Sequence, residues 1–323
     1  MSRVLVTGGS GFIGTNLVEH YYLSGDHVTN LDIVSPRKSQ HAALWRKTNL
    51  LDSKALRQAV IEADPEIVFH MAARTDLEGK CMSDYSANTQ GVSNLIHALQ
   101  GVRGLRLTIF ASSMLVCSVG YRPNGELDYC PNTAYGESKV VGEQIVRSEA
   151  AGRFPWIIIR PTSIWGPWFE TPYCDFFMAV QRGLYMHPSG MNIHRSYGFV
   201  LNSVVQLARL AALDGASLLG RTVYMADHKP MELKHWAETI QRALGAPPIR
   251  EIPLWILRGI AMGGDLLKTM GYARPPLTSF RLNNLLTEMV HDTAPLHLAC
   301  GDLPYSMEQG VRITCEWLSR NSM

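Results

Sequence analysis

The sequence predicts an α/β protein in which a doubly wound parallel sheet is joined to a smaller, mainly helical C-terminal domain. Its first half alternates short apolar strands with helices in which apolar residues recur every three or four positions. A glycine-rich turn over residues 8–14 joins the first strand to the first helix. After about residue 162 the alternation weakens and prolines become frequent. These three observations favour one complete α/β domain with a second domain beside it.

The individual elements are predicted from the same patterning. Strands are expected over residues 3–7, 27–33, 45–49, 66–70, 105–111, 156–160 and 222–226. Helices are expected from about residue 13 and from about residue 202, and over residues 53–63, 84–100 and 133–150. The first domain is then expected to comprise residues 1–161 plus about 198–227, and the second about 162–197 plus 228–323.

The composition is that of an ordinary globular protein. The 323 residues are 46% hydrophobic and 18% charged, with a net charge of +2 and no basic run, which argues against binding of nucleic acid. The first strand begins after two residues, which leaves no room for a signal peptide, so a cytoplasmic location is expected. The six cysteines show no CxxC and no metal-ligand spacing, so no metal site is expected.

No apolar run approaches the roughly 20 residues that cross a bilayer, so no membrane association is expected. The nearest, residues 252–262, is short and carries Arg258. An amphipathic helix on the smaller domain is the favoured interpretation, and contact with a membrane surface is the less favoured one.

The glycine-rich turn has the features of a pyrophosphate site. Its glycines permit a tight turn and a close approach of the backbone, and the following helix offers free N–H groups and a positive dipole end. Asp32 ends the second strand about 20 residues further on, where a carboxylate accepts hydrogen bonds from ribose hydroxyls and repels a 2′-phosphate. Unless Asp32 merely ends a strand, the pair predicts a Rossmann-type domain that binds NAD in preference to NADP. Arg37 and Lys38, just beyond, reduce that preference.

A second motif, Tyr135-x-x-x-Lys139, falls on the predicted helix 133–150, where positions i and i+4 share a face. A neighbouring ammonium favours the phenolate, so the pKa of Tyr135 is expected to fall below its reference value of about 10. Tyr135 would then exchange a proton with a carbinol oxygen while hydride moves to or from the cofactor, and Lys139 would hold the nicotinamide ribose. Ser113, at a strand end, offers a hydroxyl to the same oxygen. A surface tyrosine and an ordinary turn serine are the structural alternatives.

With these motifs the sequence resembles the extended short-chain dehydrogenase/reductase family, in its nucleotide-sugar epimerase/dehydratase group. The resemblance spans essentially the whole chain, and its motifs occur in the family's order. They are residues 7–14, 70–73, Asn88 with Gly91 and Asn94-Leu95, and residues 112–113, 135–139, 160–167 and 292–317. The resemblance implies an NAD(P)-binding Rossmann-type domain, a smaller substrate-binding domain, a tightly held cofactor and a homodimer.

The resemblance also implies roles for the residues at matching positions. The implied cofactor contacts are Gly8, Gly11, Phe12, Ile13 and Gly14 at the pyrophosphate, Asp32 at the ribose, Asn49 and Leu50 at the adenine, and Ala72, Ala73, Tyr135, Lys139 and Pro161 along the rest of the dinucleotide. Catalysis is assigned to Ser113, Tyr135 and Lys139. The implied substrate contacts are Ser113, Met114, Ser163, Arg195 and, as a second candidate arginine, Arg281. An arginine fork suits the diphosphate of a nucleotide sugar.

Two departures from the family pattern bear on the reaction. The family's 4,6-dehydratases carry an Asp-Glu pair directly after the serine or threonine of the site, and this chain has Met114-Leu115 there. Elimination of water then lacks its acid and base, so dehydration, like decarboxylation, is disfavoured. Ser163 stands where sugar-nucleotide enzymes of the family often have an asparagine near the diphosphate.

The favoured function is therefore an NAD-dependent epimerase that transiently oxidises a nucleotide sugar, at C4, through Ser113, Tyr135 and Lys139. The alternative is a one-way NAD(P)-dependent reductase or dehydrogenase of a keto-sugar nucleotide or a sterol-like alcohol. A cofactor sensor without chemistry is disfavoured, because such proteins usually lose the tyrosine or the lysine and this chain keeps both.

Overall fold

The computed structural model describes residues 1–212, 217–272, 275 and 277–321. The strands are β1 Arg3–Thr7, β2 His27–Asp32, β3 Trp45–Lys47, β4 Ile67–His70, β5 Leu107–Ala111, β6 Trp156–Pro161, β7 Ser163–Trp165, β8 Met186–Pro188, β9 His194–Arg195, β10 Tyr197–Phe199, β11 Thr222–Met225, β12 Met231–Glu232 and β13 Arg250–Ile252. The α-helices are α1 Phe12–Leu23, α2 Ser53–Ala63, α3 Gln90–Leu99, α4 Ala134–Ile145, α5 Tyr173–Gln181, α6 Val200–Ala212, α7 Leu233–Leu244, α8 Leu254–Thr269, α9 Ser279–Leu286, α10 Ala294–Cys300 and α11 Met307–Asn321.

Seven strands of the described chain form one parallel sheet in the order β11-β6-β5-β4-β1-β2-β3. The order reverses at β1, because β2 and β3 extend the sheet to one side and β4, β5 and β6 extend it to the other. In open sheets of this kind, ligands bind outside the carboxyl ends of the strands at the switch point. The Rossmann-type doubly wound sheet predicted from the sequence is confirmed.

Alternate residues of β1 pack on opposite faces of this sheet. Val4 and Val6 belong to a core that includes residues of α1 and α6, whereas Leu5 belongs to a core that includes residues of α2 and α3. All three side chains are buried. Helices therefore cover both faces, which explains why the strands read as continuous apolar runs.

The helix predicted over residues 84–100 is two elements. A 3₁₀ segment, Met82–Asn88, ends where Thr89 leaves helical geometry with φ −120° and ψ −76°, and α3 follows. The Asn88 side chain accounts for the break, since it accepts a hydrogen bond from the backbone of Arg74 at 2.8 Å and donates one to Ser138 Oγ at 2.9 Å. These bonds tie Asn88 to the loop after β4 and to α4.

The described chain divides into two compact units. The first comprises Met1–Trp168, Gly198–His228 and His291–Tyr305, and the second Phe169–Tyr197, Lys229–Val290 and Ser306–Met323. The division differs from the predicted one in two places, since residues 162–168 and 291–305 belong to the first unit. Strand β7 pairs with β10, and α10 packs against α6, which explains both differences.

The second unit, taken by itself, is built mainly from helices. Phe176 of α5 stacks on Trp236 of α7, with ring centroids 4.8 Å apart and planes 3° from parallel. Leu257 of α8 packs with Leu282 of α9 in a small separate core.

Candidate active site

The glycine-rich turn is packed too closely against the end of β4 to carry side chains. Gly8 has a φ of +71°, and a Cβ there would lie 2.5 Å from the backbone nitrogen of Ala72. A Cβ on Gly14 would lie 2.1 Å from the carbonyl oxygen of Gly8. Helix α1 begins after Gly11, which provides no side-chain cap for its first N–H groups. Those N–H groups suit an anion, as expected for a pyrophosphate site. The contact with pyrophosphate is the one inferred for Gly8, Gly11, Phe12, Ile13 and Gly14.

Asp32 ends β2 with its carboxylate turned towards the same turn. One oxygen accepts a hydrogen bond from the backbone N–H of Ser10 and the other from Val34, each at 3.0 Å. An ionised carboxylate has about four acceptor positions, so capacity remains for ribose hydroxyls. The backbone of the turn thus fixes Asp32 in place beside the inferred pyrophosphate site.

The two basic residues that would favour NADP already bind other groups of the protein. Arg37 donates hydrogen bonds to the carbonyl oxygens of Ser10 and Trp168, each at 2.9 Å. Lys38 forms a 2.5 Å ion pair with Glu19. A 2′-phosphate would have to displace these contacts, so the geometry favours NAD.

Asp32→Asn is expected to weaken discrimination against NADP, because the amide keeps a hydrogen-bond acceptor for Ser10 and loses the charge that repels a 2′-phosphate. We expect the wild-type protein to bind NAD at least about ten-fold more tightly than NADP, and the variant to lose about ten-fold of that ratio, or about 1.4 kcal/mol. Isothermal titration calorimetry with each dinucleotide measures the ratio. Asp52→Asn, at the carboxylate that caps α2, is the matched control. An unchanged ratio in Asp32→Asn would contradict the assignment.

The other inferred cofactor residues follow neighbouring strands. Ala72 and Ala73 come directly after β4, and Pro161 is the last residue of β6. Asn49 is exposed, and its Oδ1 accepts a hydrogen bond from the N–H of Leu51 at 3.0 Å. The side chain of Leu50, by contrast, is buried in the core with α2 and α3. The adenine contact inferred for this pair stays a proposal, and the exposed side chain of Asn49 suits it better than that of Leu50.

The structure brings Ser113, Tyr135 and Lys139 together at the carboxyl end of β5. Ser113 begins the turn after β5, where its hydroxyl accepts a hydrogen bond from the N–H of Leu115 at 3.1 Å and lies close enough to the Tyr135 phenol to lower its pKa. Lys139 donates a hydrogen bond to the carbonyl oxygen of the last β5 residue at 2.9 Å. The close approach of α4 depends on Gly136, where a Cβ would lie 2.3 Å from the carbonyl oxygen of Leu115. A glycine next to Tyr135 therefore allows the helix to reach the serine-bearing turn.

Burial governs the charge of this trio. It raises the pKa of Tyr135 to about 12, although the hydrogen bond with Ser113 acts in the opposite direction. It lowers the pKa of Lys139 to about 8, although the carboxylate of Glu143 raises it. The expectation that Lys139 lowers the pKa of Tyr135 is wrong in this structure, because the ammonium lies 6.0 Å from the ring centroid and desolvation of the phenol dominates.

A buried ion pair behind the trio was not predicted. Arg160 of β6 donates from Nε and Nη2 to the two oxygens of Glu143 at 2.8 and 2.9 Å, and both side chains are 1% exposed. Ser112 donates to the same carboxylate at 2.6 Å and Tyr129 at 2.9 Å. The available signal was the spacing of Glu143, four residues after Lys139 and hence on the same helix face. A charged residue near the end of the apolar strand β6 was a second signal.

Tyr85 was also missed by the sequence reasoning. It is fully buried, and its ring packs on Tyr135 with centroids 6.0 Å apart. Its hydroxyl donates to the carbonyl oxygen of Asp76 at 2.8 Å, which anchors the loop after β4 against the site. No periodic pattern marks this residue, because it lies in a short 3₁₀ segment.

The inferred substrate residues are divided between the two units. Met114 follows Ser113 and is partly exposed, and Ser163 is 4% exposed in β7. Both belong to the first unit, whereas Arg195 of β9 and Arg281 of α9 belong to the second.

Arg195 is buried, and backbone carbonyl groups hold Nη2 of its guanidinium while Met289 Sδ accepts from Nη1 at 3.3 Å. It is 8% exposed, and Nη2 donates to the carbonyl oxygens of Asn284 and Thr287. Among the described residues, its Nε has no hydrogen-bond acceptor. Arg281 is exposed and donates to the carbonyl oxygen of Pro275 at 3.0 Å. Both arginines stay proposed diphosphate ligands, although only part of the Arg195 guanidinium is available for such a contact.

All six cysteines are free thiols. In the part of the chain that the structure describes, no group of three or more His, Cys, Asp or Glu side chains is arranged to hold a metal ion. None of the described helices combines the length and the apolar character needed to cross a membrane.

Comparison with known proteins places these features among related enzymes. The model of the NAD dependent epimerase/dehydratase family matches residues 4–184. A 3-beta-hydroxysteroid dehydrogenase of Mycolicibacterium neoaurum is 29% identical over 76% of this chain and 71% of its own. An N-acetyl-alpha-D-glucosaminyl-diphospho-ditrans,octacis-undecaprenol 4-epimerase of Escherichia coli O157:H7 is 24% identical over 98% and 95%. The structure of a UDP-glucose 4-epimerase of Thermotoga maritima with UDP-glucose aligns with a TM-score of 0.72 at 19% identity, over 99% of both chains, and this likeness shows the fold alone.

Proposed function

Because the chain belongs to the NAD-dependent epimerase/dehydratase family, we propose that it is an NAD-dependent epimerase of a nucleotide sugar, acting by transient oxidation at C4. The observation that carries the proposal is the convergence of Ser113, Tyr135 and Lys139 at the carboxyl end of β5. The relative from Escherichia coli is a 4-epimerase of a sugar diphosphate linked to undecaprenol, which supports epimerisation at C4. A UDP-glucose 4-epimerase of Vibrio cholerae, 25% identical over 78% of this chain and 79% of its own, supports the nucleotide-sugar class.

Tyr135 is the group proposed to take the proton of the sugar hydroxyl and to return it after inversion. Bound NAD supplies the acceptor and donor of hydride and a positive charge beside the phenol. A phenol with a pKa of about 12 is a weak acid at neutral pH, so the phenolate needs cationic support. Lys139, on the same face of α4, lies 6.0 Å from the ring centroid, so bound NAD would have to provide most of that support.

Ser113 and Lys139 are proposed to position the reacting groups. The Ser113 hydroxyl contacts the phenol, so a substrate oxygen that receives its hydrogen bond lies within reach of Tyr135. Lys139 uses one N–H on the β5 carbonyl oxygen and retains two donors for the ribose hydroxyls next to the nicotinamide. The carbonyl oxygen thereby fixes the direction in which those donors point.

The buried carboxylate one helical turn after Lys139 is unsuited to elimination chemistry. Glu143 is bound by Arg160, Ser112 and Tyr129, so its oxygens are already used as acceptors. Met114 occupies the position of the acid that dehydratases need after the serine. Both observations favour epimerisation over loss of water.

Deuterium at C4 of the substrate is expected to remain at C4 of the epimer, because the hydride removed from that carbon returns to it. The assay incubates the protein with NAD and a C4-deuterated sugar nucleotide, UDP-glucose or UDP-N-acetylglucosamine first, and follows the epimer and its label by NMR. NADH absorbance is expected to stay flat during turnover. Loss of the label to water would contradict hydride transfer, and steady accumulation of NADH would identify a dehydrogenase.

The second candidate is a one-way dehydrogenase or reductase of a keto-sugar nucleotide or a sterol-like alcohol. The relative that favours it is the 3-beta-hydroxysteroid dehydrogenase, at 29% identity. The same trio would serve, since removal of a hydroxyl proton and hydride is the first half of both reactions. A homodimer and a cytoplasmic location stay predictions from the sequence.

A further inference from the structure

The segment between β2 and β3 is attached to helix α1 through one carboxylate. Glu19 of α1 accepts a hydrogen bond from Lys38 Nζ at 2.5 Å on one oxygen, and its other oxygen lies 2.6 Å from His41 Nε2. Gln40 Nε2 donates to both oxygens, at 3.2 and 3.1 Å. Side chains from one stretch of the segment therefore converge on a single residue of the helix that follows the glycine-rich turn.

This attachment is partly buried and charged. The His41 side chain has no exposed surface, and among the described residues its Nδ1 has no hydrogen-bond partner. The side chains of Glu19 and Lys38 are 22% and 28% exposed. Burial alone would raise the pKa of Glu19, but the hydrogen bonds with Lys38 and His41 outweigh it and hold the pKa below its ordinary value. Glu19 is thus ionised at neutral pH and offsets the charge of Lys38.

The same segment borders the inferred ribose site. It begins directly after Asp32, whose carboxylate accepts a hydrogen bond from the N–H of Ser10 at 3.0 Å. The Ser10 hydroxyl donates to the carbonyl oxygen of Val34 at 2.9 Å, and Arg37 donates to the carbonyl oxygen of Ser10 at 2.9 Å. The segment therefore contacts the glycine-rich turn repeatedly before it reaches Lys38. Lys38 follows Arg37 directly, and the ion pair directs its ammonium to α1.

We propose that Glu19 is a positioning residue for cofactor selectivity, because it holds the Lys38 ammonium on α1 and so withholds it from the 2′-phosphate of NADP. That phosphate is attached to the ribose that Asp32 is inferred to bind, so its binding requires a base that offsets the charge of Asp32. Selection of NAD then has two parts, which are repulsion by Asp32 and retention of Lys38 by Glu19. The proposal rests on the NAD dependence of the family and not on the epimerase reaction.

Calorimetric titration of the full-length protein with NAD and with NADP tests the proposal. Glu19→Gln keeps the size of the side chain and one acceptor oxygen, and it removes the charge that holds Lys38. We expect its NADP affinity to rise about ten-fold, because the released ammonium can form a charge-assisted hydrogen bond with the phosphate. Its NAD affinity should stay within about two-fold of wild type. The gain for NADP should shrink at high salt, because salt screens exposed charges.

Replacement of Lys38 distinguishes selectivity from a merely structural role. Glu19→Gln/Lys38→Gln should bind NADP as weakly as wild type, because the gain requires the released ammonium. Lys38→Gln alone should leave both affinities near their wild-type values. Glu66→Gln is the matched control, since the Glu66 side chain is 26% exposed and pairs with Arg3 at 3.4 Å. Arg3 begins β1, so this pair lies at the amino end of the sheet, opposite the inferred site.

Unchanged NADP affinity in Glu19→Gln overturns the proposal. So does a gain that persists in Glu19→Gln/Lys38→Gln, because it would then come from another group. A parallel loss of NAD and NADP affinity in Glu19→Gln also overturns it, because the residue would then hold the fold without selecting the cofactor. These titrations need no sugar substrate, so their outcome is independent of whether the proposed reaction is correct.

Discussion

Tyr135→Phe is expected to lower kcat by about 10²- to 10⁴-fold, the usual contribution of a positioned general acid or base. The substitution removes the phenolic oxygen and keeps the ring, which packs on Tyr85 at 6.0 Å between centroids. The helix and the loop after β4 should therefore keep their positions. NAD affinity should change little, because the glycine-rich turn and Asp32 are untouched. Turnover is measured by NMR detection of the epimer, and NAD binding by calorimetry.

Tyr21→Phe is the matched control for this prediction. Tyr21 is 7% exposed, like Tyr135, but it lies in α1 within the core of the first unit. Its replacement should leave kcat within about two-fold of wild type, since the residue has no part in the proton transfer. Retention of wild-type turnover in Tyr135→Phe would show that another group moves the proton. Loss of NAD binding in that variant would instead mean that the phenol organises the site.

The features that the sequence predicted are those determined by residues close to one another in the chain. The turn at residues 8–14, the strand before it and Asp32 lie within one βαβ unit, so their spacing alone predicts their placement. Tyr135 and Lys139 are one helical turn apart, so α4 brings them to one face whatever surrounds it. The parallel sheet followed from alternation of strands and helices. The placement of Ser113 depends in addition on the order of the strands. Because β4, β5 and β6 are neighbours in one parallel sheet, the turn after β5 lies at the carboxyl edge of that sheet.

The features that the sequence did not predict depend on residues far apart in the chain. The helix break at Asn88 arises from hydrogen bonds with Arg74 and Ser138, and no local sequence pattern predicts these bonds. The pKa of Tyr135 was expected to fall and instead rises, because the depth of burial depends on packing against Tyr85 and other distant segments. The sequence marks Arg195 as a candidate substrate contact, yet carbonyl oxygens about ninety residues further along the chain bind Nη2 of its guanidinium.

The buried ion pair illustrates the same limit. Glu143 and Arg160 are 17 residues apart, on a helix and on a strand that follows it, and their pairing places the helix against the sheet. Because Lys139 precedes Glu143 by one helical turn, the pair also sets the electrostatic surroundings of the proposed catalytic lysine. Glu143 therefore both stabilises the fold and influences the charge of Lys139, so its removal should affect stability and pH dependence together.

Glu143→Ala is expected to lower the free energy of unfolding by about 3–5 kcal/mol, because it leaves the Arg160 guanidinium buried without its carboxylate. Ser112 and Tyr129 lose their shared acceptor at the same time. Urea denaturation without added cofactor measures the loss. Glu316→Ala, which removes an exposed i,i+4 ion pair with Arg312, is the control and should cost less than about 1 kcal/mol.

A second variant separates the loss of the pair from the stranded charge. Glu143→Ala/Arg160→Met removes both charges, so it should recover most of the stability lost in Glu143→Ala, whereas equal loss in both would mean that packing, not charge, is responsible.

The carboxylate of Glu143 also raises the pKa of Lys139, which stands at about 8 in the wild-type protein. Its removal should lower that pKa further, so Lys139 would lose its proton at a lower pH. Turnover that requires the protonated lysine should then decline at a lower pH in Glu143→Ala than in wild type, and an unshifted pH profile would show that Lys139 does not titrate in the measured step.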